Sequence, residues 1–379
     1  MPSLALGHCG GGGAKTWGVM IMAAMAAHDS NTPTLPPAST LAATAAPTLG
    51  GALRLNDWGL ILATGADAAS FLHGQLTQDT KGLHSDQARL AGFCSAKGRL
   101  LASMVVWRPA PETLWLACSA DLLAPTLKRL SMFVMRAKCK LSDASATHTL
   151  WGLAGDAARD WLGTSAPAAV WGVTALAVAS SVEAGAAQDA QHAQDPQIGG
   201  HPAGQVIRLP DAQGLPRYLL AQAVDAAAPE LPALAEADWR WLEVRSAVAR
   251  VVAATTEQFV PQMVNLELVG GVNFQKGCYP GQEVVARSQY RGTLKRRAML
   301  FDLAAADTPA AGQEVFHSAD PGQPAGLVVL AAPSPGGGQS ALVELKLAAL
   351  DSGTLHVGGA DGALLQRSAL PYALPTDVA

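Results

Sequence analysis

A cysteine in a glycine-rich turn is the residue of this chain best suited to chemistry. Cys278 stands two residues after Lys276 and directly before a Tyr-Pro-Gly sequence, in which proline restricts one backbone angle and glycine permits a left-handed one. The segment that starts at Gln282 has helical propensity. A lysine ammonium and the positive end of a helix both favour thiolate, the reactive form of cysteine. The sequence therefore predicts a reactive thiol at Cys278.

Two further interpretations of Cys278 stay open on residue types alone. Unpaired cysteines are among the most buried residues in proteins, so the thiol would then be a small core side chain in a purely structural turn. In a thiol redox enzyme, by contrast, a base must lie beside the sulfur. The histidines nearest to Cys278 along the chain are His201 and His317, and neither lies in the motif. The sequence thus shows no base for this thiol.

Composition narrows the class of protein. The formal net charge is −4 and only 15% of the 379 residues are charged, which makes a nucleic-acid partner unlikely. No apolar stretch is long enough to span a bilayer, so no membrane association is expected. The cysteines include no Cys-x-x-Cys pair, which predicts no metal site and free thiols in the cytoplasm; they are Cys9, Cys94, Cys118, Cys139 and Cys278.

Short strands with a few helices between them predict an α+β fold with antiparallel sheets. The clearest strand patterns lie at 59–64, 88–94, 100–107 and 113–119, and helical patterns lie at 122–136, 233–251 and 282–289. After residue 297, short β-type runs alternate with Gly and Pro turns, which indicates a small terminal barrel.

The same patterns divide the chain into four parts. The first 51 residues are rich in Gly, Ala, Pro, Ser and Thr without a hydrophobic period, and a low-complexity stretch at 184–204 is typical of a surface loop. The predicted parts are a disordered tail over 1–51, a first α+β module over 52–146, a second α+β module with the cysteine motif over 147–296 and a C-terminal β-barrel over 297–379.

An eight-residue motif carries a resemblance to a known family. Residues 276–283 read Lys-Gly-Cys-Tyr-Pro-Gly-Gln-Glu, which is similar to the Lys-Gly-Cys-Tyr-x-Gly-Gln-Glu signature of the YgfZ-type folate-binding proteins. Phe-Val-Pro-Gln at 259–262, Gly-Gln-Leu-Thr at 74–77 and Leu-Pro-Tyr-Ala-Leu-Pro at 370–375 resemble other parts of that family. Its members resemble the aminomethyltransferase T-protein of glycine cleavage. The resemblance implies a three-part cloverleaf with a terminal β-barrel around a channel for tetrahydrofolate.

The resemblance also implies roles for particular residues. An indole offers a broad face to a flat pterin, although core packing is the commoner role of tryptophan and is the one expected for Trp241. A basic group near the motif, formed by Arg287, Arg291, Lys295, Arg296 and Arg297, would suit the anionic tail of a folate or would only be a solvated face. The residues implied in folate binding are Trp58, Trp239, Gln262, Asn265 and Arg287, and those of the functional motif are Lys276, Cys278, Tyr279, Gly281, Gln282 and Glu283.

Missing carboxylates argue against the transferase activity. The T-protein carries an Asp-Asp pair where this chain has Ala102 and Ser103, and an ungapped alignment places Arg245 at the glutamate of its Leu-Glu-Ala-Gly helix. Neither Ala nor Ser supplies a charge for acid–base work. The resemblance therefore implies a tetrahydrofolate-binding protein, not predicted to be an enzyme, that acts with iron–sulfur enzymes or their assembly factors through Cys278. The alternatives are a folate-dependent aminomethyltransferase, a thiol redox enzyme and a scaffold without folate.

Overall fold

Three antiparallel sheets and five α-helices make up the part of the chain that the computed structural model describes, residues 49–176, 204–290, 294–304, 306 and 308–375. These residues belong to one compact unit, Pro47–Ala379. Most of the predicted tail, the low-complexity stretch with His201, and Arg291 lie outside them. The helices are α1 (Ala68–His73), α2 (Ala120–Met132), α3 (Gly155–Leu162), α4 (Glu236–Arg245) and α5 (Gln282–Tyr290).

The strands follow the predicted segments closely in the first hundred described residues. They are β1 (Gly51–Arg54), β2 (Trp58–Thr64), β3 (Ala88–Cys94), β4 (Leu100–Ala110), β5 (Thr113–Ser119), β6 (Lys140–Asp143), β7 (His148–Ala154), β8 (Val173–Ala175), β9 (Gly204–Ala212) and β10 (Leu215–Ala223). The remaining strands are β11 (Arg296–Leu303), β12 (Glu314–His317), β13 (Asp320–Pro333), β14 (Gln339–Lys346), β15 (Leu355–Val357), β16 (Ala363–Leu364) and β17 (Gln366–Ser368).

The first sheet has the order β3-β4-β5-β2-β6 and is covered on both faces. Its strand β4 is apolar on both sides because side chains alternate between two cores. Met104 and Val106 pack into a core shared with α1, α2 and the C-terminal sheet, whereas Val105 and Trp107 pack into a core shared with the second sheet and α4. This double coverage joins the sheets through continuous apolar packing.

The second sheet has the order β1-β7-β10-β9-β8. Strand β1 pairs antiparallel with β7, where Leu53 lies opposite Gly152. Residues 51–54 therefore belong to the sheet formed mainly by residues 148–223, although the predicted first module begins at 52. The domain bounds themselves stay a prediction.

The C-terminal sheet has the order β16-β15-β12-β13-β14-β11-β17 and closes almost completely on itself. Its two outermost strands, β16 and β17, are separated in sequence by Leu365 alone, so the two edges of the sheet must lie side by side. Closure removes exposed strand edges. The predicted α+β class with antiparallel sheets and a C-terminal barrel is confirmed. No helix within the described ranges is long and apolar enough to cross a membrane.

Helix α4 is shorter than predicted. The pattern at 233–251 predicts one long helix, but α4 spans only Glu236–Arg245. The hydroxyl of Ser246 donates to the carbonyl of Glu243 at 2.7 Å, and Ala247 takes a left-handed conformation at φ 52°. A non-glycine residue with positive φ ends a helix because it turns the chain away from the helix axis. The segment after α4 therefore returns along the first sheet.

A buried polar cluster ties residues 261–267 to strand β11. The Asn265 amide donates to the carbonyl of Ala298 at 2.8 Å and to the hydroxyl of Tyr372 at 3.2 Å. Its amide oxygen accepts from the Arg297 guanidinium at 3.2 Å, and Arg297 also pairs with Glu267. Asn265 has a φ of 57°, a left-handed conformation that asparagine adopts more readily than most other residues. The cluster fixes the barrel against the segment that precedes the cysteine motif.

Replacing Asn265 by Ala should destabilise the fold strongly. We expect Asn265→Ala to lower the free energy of unfolding in urea by about 2–4 kcal/mol, because buried partners are left unpaired and alanine tolerates the left-handed backbone poorly. Tyr372→Phe is the matched control, since it removes one hydroxyl of the same cluster and should lower that free energy by only about 1 kcal/mol. Equal stabilities of wild type and Asn265→Ala would contradict this account.

Candidate functional site

A small cavity lies between the first sheet, the second sheet and the segment after α4. It measures about 50 Å³. Trp58 at the start of β2 and Ser103 on β4 line one side, Arg217 on β10 lines another, and Glu243 and Arg250 close it. The cavity exists because α4 ends at Arg245 and the following residues pass beside β4 instead of continuing as a helix.

An ion-paired arginine separates this cavity from an open cleft. The Arg250 guanidinium lies 2.8 Å from a carboxylate oxygen of Asp57 and 3.2 Å from one of Glu243. Burial disfavours the charge of Arg250, but the two carboxylates outweigh this effect and raise the pKa of Arg250 above its ordinary value. The cleft beyond it measures about 490 Å³, and Glu243 and Arg250 border both spaces. The arginine therefore acts as a partition between them.

Several buried donors of the cavity wall lack partners. Trp58 Nε1, Arg217 Nε and Arg250 Nε make no hydrogen bond to any described residue. Burial lowers the pKa of Arg217 to about 10, and its guanidinium lies 3.5 Å from the Pro210 carbonyl. Unpaired buried donors are rare in proteins and call for an explanation such as a bound group. Residues of the cavity wall thus carry buried donors without partners, and the Glu243 carboxylate belongs to the same wall.

The two predicted folate tryptophans have different surroundings. Trp58 is half-buried, lines the cavity and carries the Arg250 guanidinium over its ring, with 5.2 Å between guanidinium carbon and ring centroid. Trp239 is only 1% exposed and packs against Gly152, where a Cβ atom would come within 2.8 Å of the indole. Its ring supports Arg217 at 4.7 Å. Trp58 therefore faces the cavity, whereas Trp239 lies beneath one of its walls.

Gln262, Asn265 and Arg287 do not lie at the cavity. The Gln262 amide donates to the Val285 carbonyl at 2.8 Å, and Asn265 belongs to the cluster around Arg297. Arg287 is exposed on α5 beside Glu283 and Tyr290. Of the predicted basic group, Arg296 pairs with Glu344 and Arg297 with Glu267. These two members of the group are therefore charge-paired within the barrel region, and Arg291 lies outside the described residues.

Glu243 is a residue of the cavity that the sequence analysis did not single out. Arg245 points to the barrel, where it lies 3.0 Å from a carboxylate oxygen of Asp302. Glu243 lines the cavity, whereas Arg245, two residues later on the same helix, does not. A buried acidic residue on a helix has no local sequence signal, because its burial depends on tertiary packing. Ala102 and Ser103 do lack carboxylates, and the Ser103 hydroxyl accepts from the Val251 amide at 2.9 Å.

The cysteine motif forms a loop held by glycine and lysine. Helix α5 begins at Gln282 as predicted, and Gly281 has φ 80°. A Cβ at Gly281 would lie 2.4 Å from the Ser95 carbonyl, so this position requires glycine for both conformation and space. Tyr279 is buried and the Lys276 ammonium lies 4.6 Å from its ring centroid. The loop is therefore fixed against the hairpin between β3 and β4.

Lys276 holds the loop against helix α1. Its ammonium donates to the carbonyls of His73, at 2.5 Å, and Leu76, at 3.0 Å. Burial lowers the pKa of Lys276 to about 8, although the nearby Asp79 and Cys278 oppose this shift. The ammonium is thus used mainly as a structural clasp at the C-terminal end of α1.

Cys278 differs from the other described cysteines in its exposure. Its side chain is exposed, whereas Cys94 and Cys118 are fully buried and burial raises the pKa of each to about 12. Burial also raises the pKa of Cys139. The interpretation of Cys278 as a buried core thiol is therefore wrong. No residue of the 276–283 loop lines the cavity or the cleft, so the thiol and the cavity are separate features.

A histidine that sequence reasoning missed lies beside the loop. His73, the last residue of α1, pairs through Nδ1 with Asp79 at 2.9 Å. Its other ring nitrogen, Nε2, lies 3.6 Å from the position that a Cβ on Gly277 would take. His73 and Asp79 lie about two hundred positions before the motif in the sequence, so only the fold brings them close to it.

The fold is similar to that of a solved aminomethyltransferase. The chain superposes on the glycine cleavage system aminomethyltransferase T from Bartonella henselae with a TM-score of 0.64, covering 84% of this chain and 85% of that chain at 15% identity. At this identity the likeness concerns the fold.

Sequence comparison leads to more particular relatives. A protein named tRNA-modifying protein YgfZ from Escherichia coli O157:H7 is 29% identical over 263 residues, which cover 69% of this chain and 75% of the relative. The protein of the same name from Shigella sonnei gives the same identity and coverage. No family model matches the chain. The predicted resemblance to YgfZ-type proteins, as relatives of the aminomethyltransferases, is confirmed.

The requirement for glycine at 281 can be tested directly. We expect Gly281→Ala to lower the free energy of unfolding in urea by about 2 kcal/mol or more, because the new methyl group meets backbone atoms and the left-handed conformation is strained. The matched control is Gly277→Ala, four residues earlier, which should change that free energy by less than about 0.5 kcal/mol because its methyl group has room. A neutral Gly281→Ala would show that the loop is not fixed as described.

Proposed function

We propose that this protein binds tetrahydrofolate or a derivative at the cavity and supports iron–sulfur enzymes through Cys278. The donor and acceptor set of the cavity wall is the observation that carries the folate part. The pyrimidine edge of a pterin has N–H donors that suit the Glu243 carboxylate and a carbonyl oxygen that suits a guanidinium or indole N–H. The unpaired Arg217 and Trp58 nitrogens supply such donors.

The size of the spaces sets a condition on binding. Small-molecule sites usually measure about 300–1,000 Å³, so the 50 Å³ cavity is too small for a folate and the 490 Å³ cleft is of suitable size. Since Arg250 covers the face of Trp58 on which a pterin would stack, folate binding requires the guanidinium to leave that face. Cleft and cavity would then form one continuous space.

The residues of the site favour binding over group transfer. A reduced folate carries one-carbon units on its ring and bridge nitrogens, and a transferase needs a charged side chain to activate the acceptor. Here the Ser103 hydroxyl accepts from Val251 and donates to the Ala249 carbonyl, while Glu243 is paired with Arg250. In this arrangement Arg250 neutralises the charge of Glu243, so the role of Glu243 is to orient a ligand and not to activate an acceptor.

Cys278 supports the second part of the proposal because it is accessible to another protein. The thiol is exposed and lies outside the cavity, so a partner reaches it without entering the folate site. Iron–sulfur enzymes and their assembly factors are partners whose clusters are bound by thiolates. The curated relatives are named for tRNA modification. An action on an iron–sulfur enzyme that modifies tRNA would require no RNA-binding surface on this chain.

Folate binding is tested by calorimetric titration with tetrahydrofolate. We expect Trp58→Ala to weaken binding by about 1–3 kcal/mol, because the stacking surface is lost, and Glu243→Gln to weaken it as well. Trp161→Ala is the matched control, since Trp161 on α3 does not line the cavity or the cleft and its replacement should leave affinity unchanged. Unchanged affinity in both site variants would reject the assignment.

The role of Cys278 is tested by complementation. In bacterial cells that lack their own YgfZ-type protein, we expect Cys278→Ala and Cys278→Ser to fold normally and to fail to restore iron–sulfur enzyme activity, because only the exposed thiol is removed. Cys139→Ser is the control at a half-buried cysteine and should complement. Full complementation by Cys278→Ala under oxidative stress would overturn this part of the proposal and leave the folate part standing.

A further inference from the structure

A strongly basic segment runs from the last turn of helix α2 into strand β6. Its 13 residues, 128–140, contain five cations, and no Asp or Glu occurs between Asp121 and Asp143. The net charge of −4 for the whole chain therefore conceals a local excess of positive charge. The cations of this α2–β6 patch are Lys128, Arg129, Arg136, Lys138 and Lys140.

All five cations of the patch are exposed, and none forms an ion pair with another residue of the described ranges. The carboxylates that lie closest along the neighbouring elements already accept from backbone amides. Asp67 accepts from the amide of Lys138 at 2.8 Å, and Asp143 accepts from the amide of Ser145 at 2.8 Å. The charge of the patch is therefore balanced by solvent ions, which an anionic ligand would release on binding.

Exposed apolar side chains lie between the cations in the sequence. Met132 is 63% exposed, Phe133 45% and Met135 87%, and they are three of the eight large apolar side chains that are exposed among the described residues. Met135 has a φ of 37°, which is unfavourable for a residue with a long side chain. Val134 and Ala137 pack against the core beneath the first sheet. The backbone is thus anchored while these three side chains stay in solvent.

We propose that the α2–β6 patch binds single-stranded nucleic acid, with its cations on phosphates and the ring of Phe133 stacked on a base. Proteins that bind single strands without sequence preference combine positive charge with exposed aromatic rings in this way. Lysine is depleted in protein–protein interfaces, whereas three of the five cations here are lysines. Lysines at the edge strand β6 also discourage pairing with another sheet, but that role does not account for the exposed ring or for the cations of α2.

The charge of the whole chain and the charge of the patch lead to different expectations. Composition makes a nucleic-acid partner unlikely because an acidic protein repels phosphates at long range. Salt screens such repulsion beyond about 8 Å, so it acts weakly on phosphates that contact the patch directly. The inference goes beyond the proposed function, since neither folate nor Cys278 takes part in it.

The test is the fluorescence anisotropy of a labelled single-stranded RNA of about 12 nucleotides, titrated with the full chain at several salt concentrations. We expect the logarithm of the affinity to fall linearly with the logarithm of the salt concentration, by about 0.7 for each phosphate contact. The double variant Arg136→Gln with Lys138→Gln should bind about tenfold more weakly at about 0.1 M salt, with a slope reduced by about 1.4. Phe133→Leu should also bind about tenfold more weakly, but with an unchanged slope, because it keeps apolar bulk and loses the ring.

Lys97→Gln with Arg367→Gln is the matched control, because it removes one lysine and one arginine at exposed positions outside the patch. It should retain the affinity and the slope of the wild type. Equal losses in the two double variants would overturn the inference, and so would the absence of RNA binding at about 0.05 M salt.

An acidic protein surface is the competing ligand, and labelled poly-L-glutamate is its probe. The RNA should bind more tightly than this polymer, since only the RNA has bases that stack on Phe133. Poly-L-glutamate that binds as tightly as the RNA, together with RNA binding that Phe133→Leu leaves unchanged, would assign the patch to an acidic protein and overturn the inference.

Discussion

The buried guanidinium of Arg250 is the group on which the arrangement of the site depends. It binds Asp57 ahead of β2, Ser119 at the end of β5 and Glu243 on α4, and so joins the first sheet to the helix that covers it. Removing one member of a buried ion pair leaves an uncompensated charge and destabilises a protein by several kcal/mol. The same guanidinium covers Trp58 and divides cavity from cleft. One side chain therefore couples the stability of the fold to access to the candidate ligand site.

The cysteine loop, residues 276–283, is held in place by backbone contacts and not by a buried ion pair. Its position is set by close backbone contact at Gly281 and by the Lys276 ammonium, which donates hydrogen bonds to two carbonyls at the end of α1. Both contacts fix the loop backbone and leave the Cys278 side chain exposed. A loop fixed in this way loses little conformational entropy if a ligand or another protein binds to it.

The chain shares its fold with an aminomethyltransferase at low sequence identity. The overall arrangement is shared with the Bartonella henselae enzyme, while the site of this chain has Ala102 and Ser103 on β4. Glu243 is a carboxylate in the cavity, but its pairing with Arg250 balances its charge. Function on a shared fold is decided by such local chemistry and not by the arrangement of sheets. The carboxylate of the cavity is therefore charge-paired in this chain, and the Ser103 hydroxyl is engaged by the backbone of the segment after α4.

Local sequence determined much of the architecture. The strand patterns at 88–94 and 113–119 coincide with β3 and β5 to the residue, and the turn at Gly281 with the helix after it followed from the properties of proline and glycine. The resemblance to YgfZ-type proteins also came from contiguous motifs. These features depend on neighbours along the chain, so the sequence alone is sufficient to predict them.

Tertiary structure decided which residues meet. The left-handed turn at Ala247 ended α4 early and turned Glu243 and Arg250 to one cavity, a change that helical periodicity does not show. Trp239 became a support beneath Arg217 because no residue at 152 except glycine leaves room for its ring. His73 reached the cysteine loop through packing of segments about two hundred residues apart. Contacts of this kind depend on how the sheets pack in three dimensions, and no local pattern in the sequence encodes them.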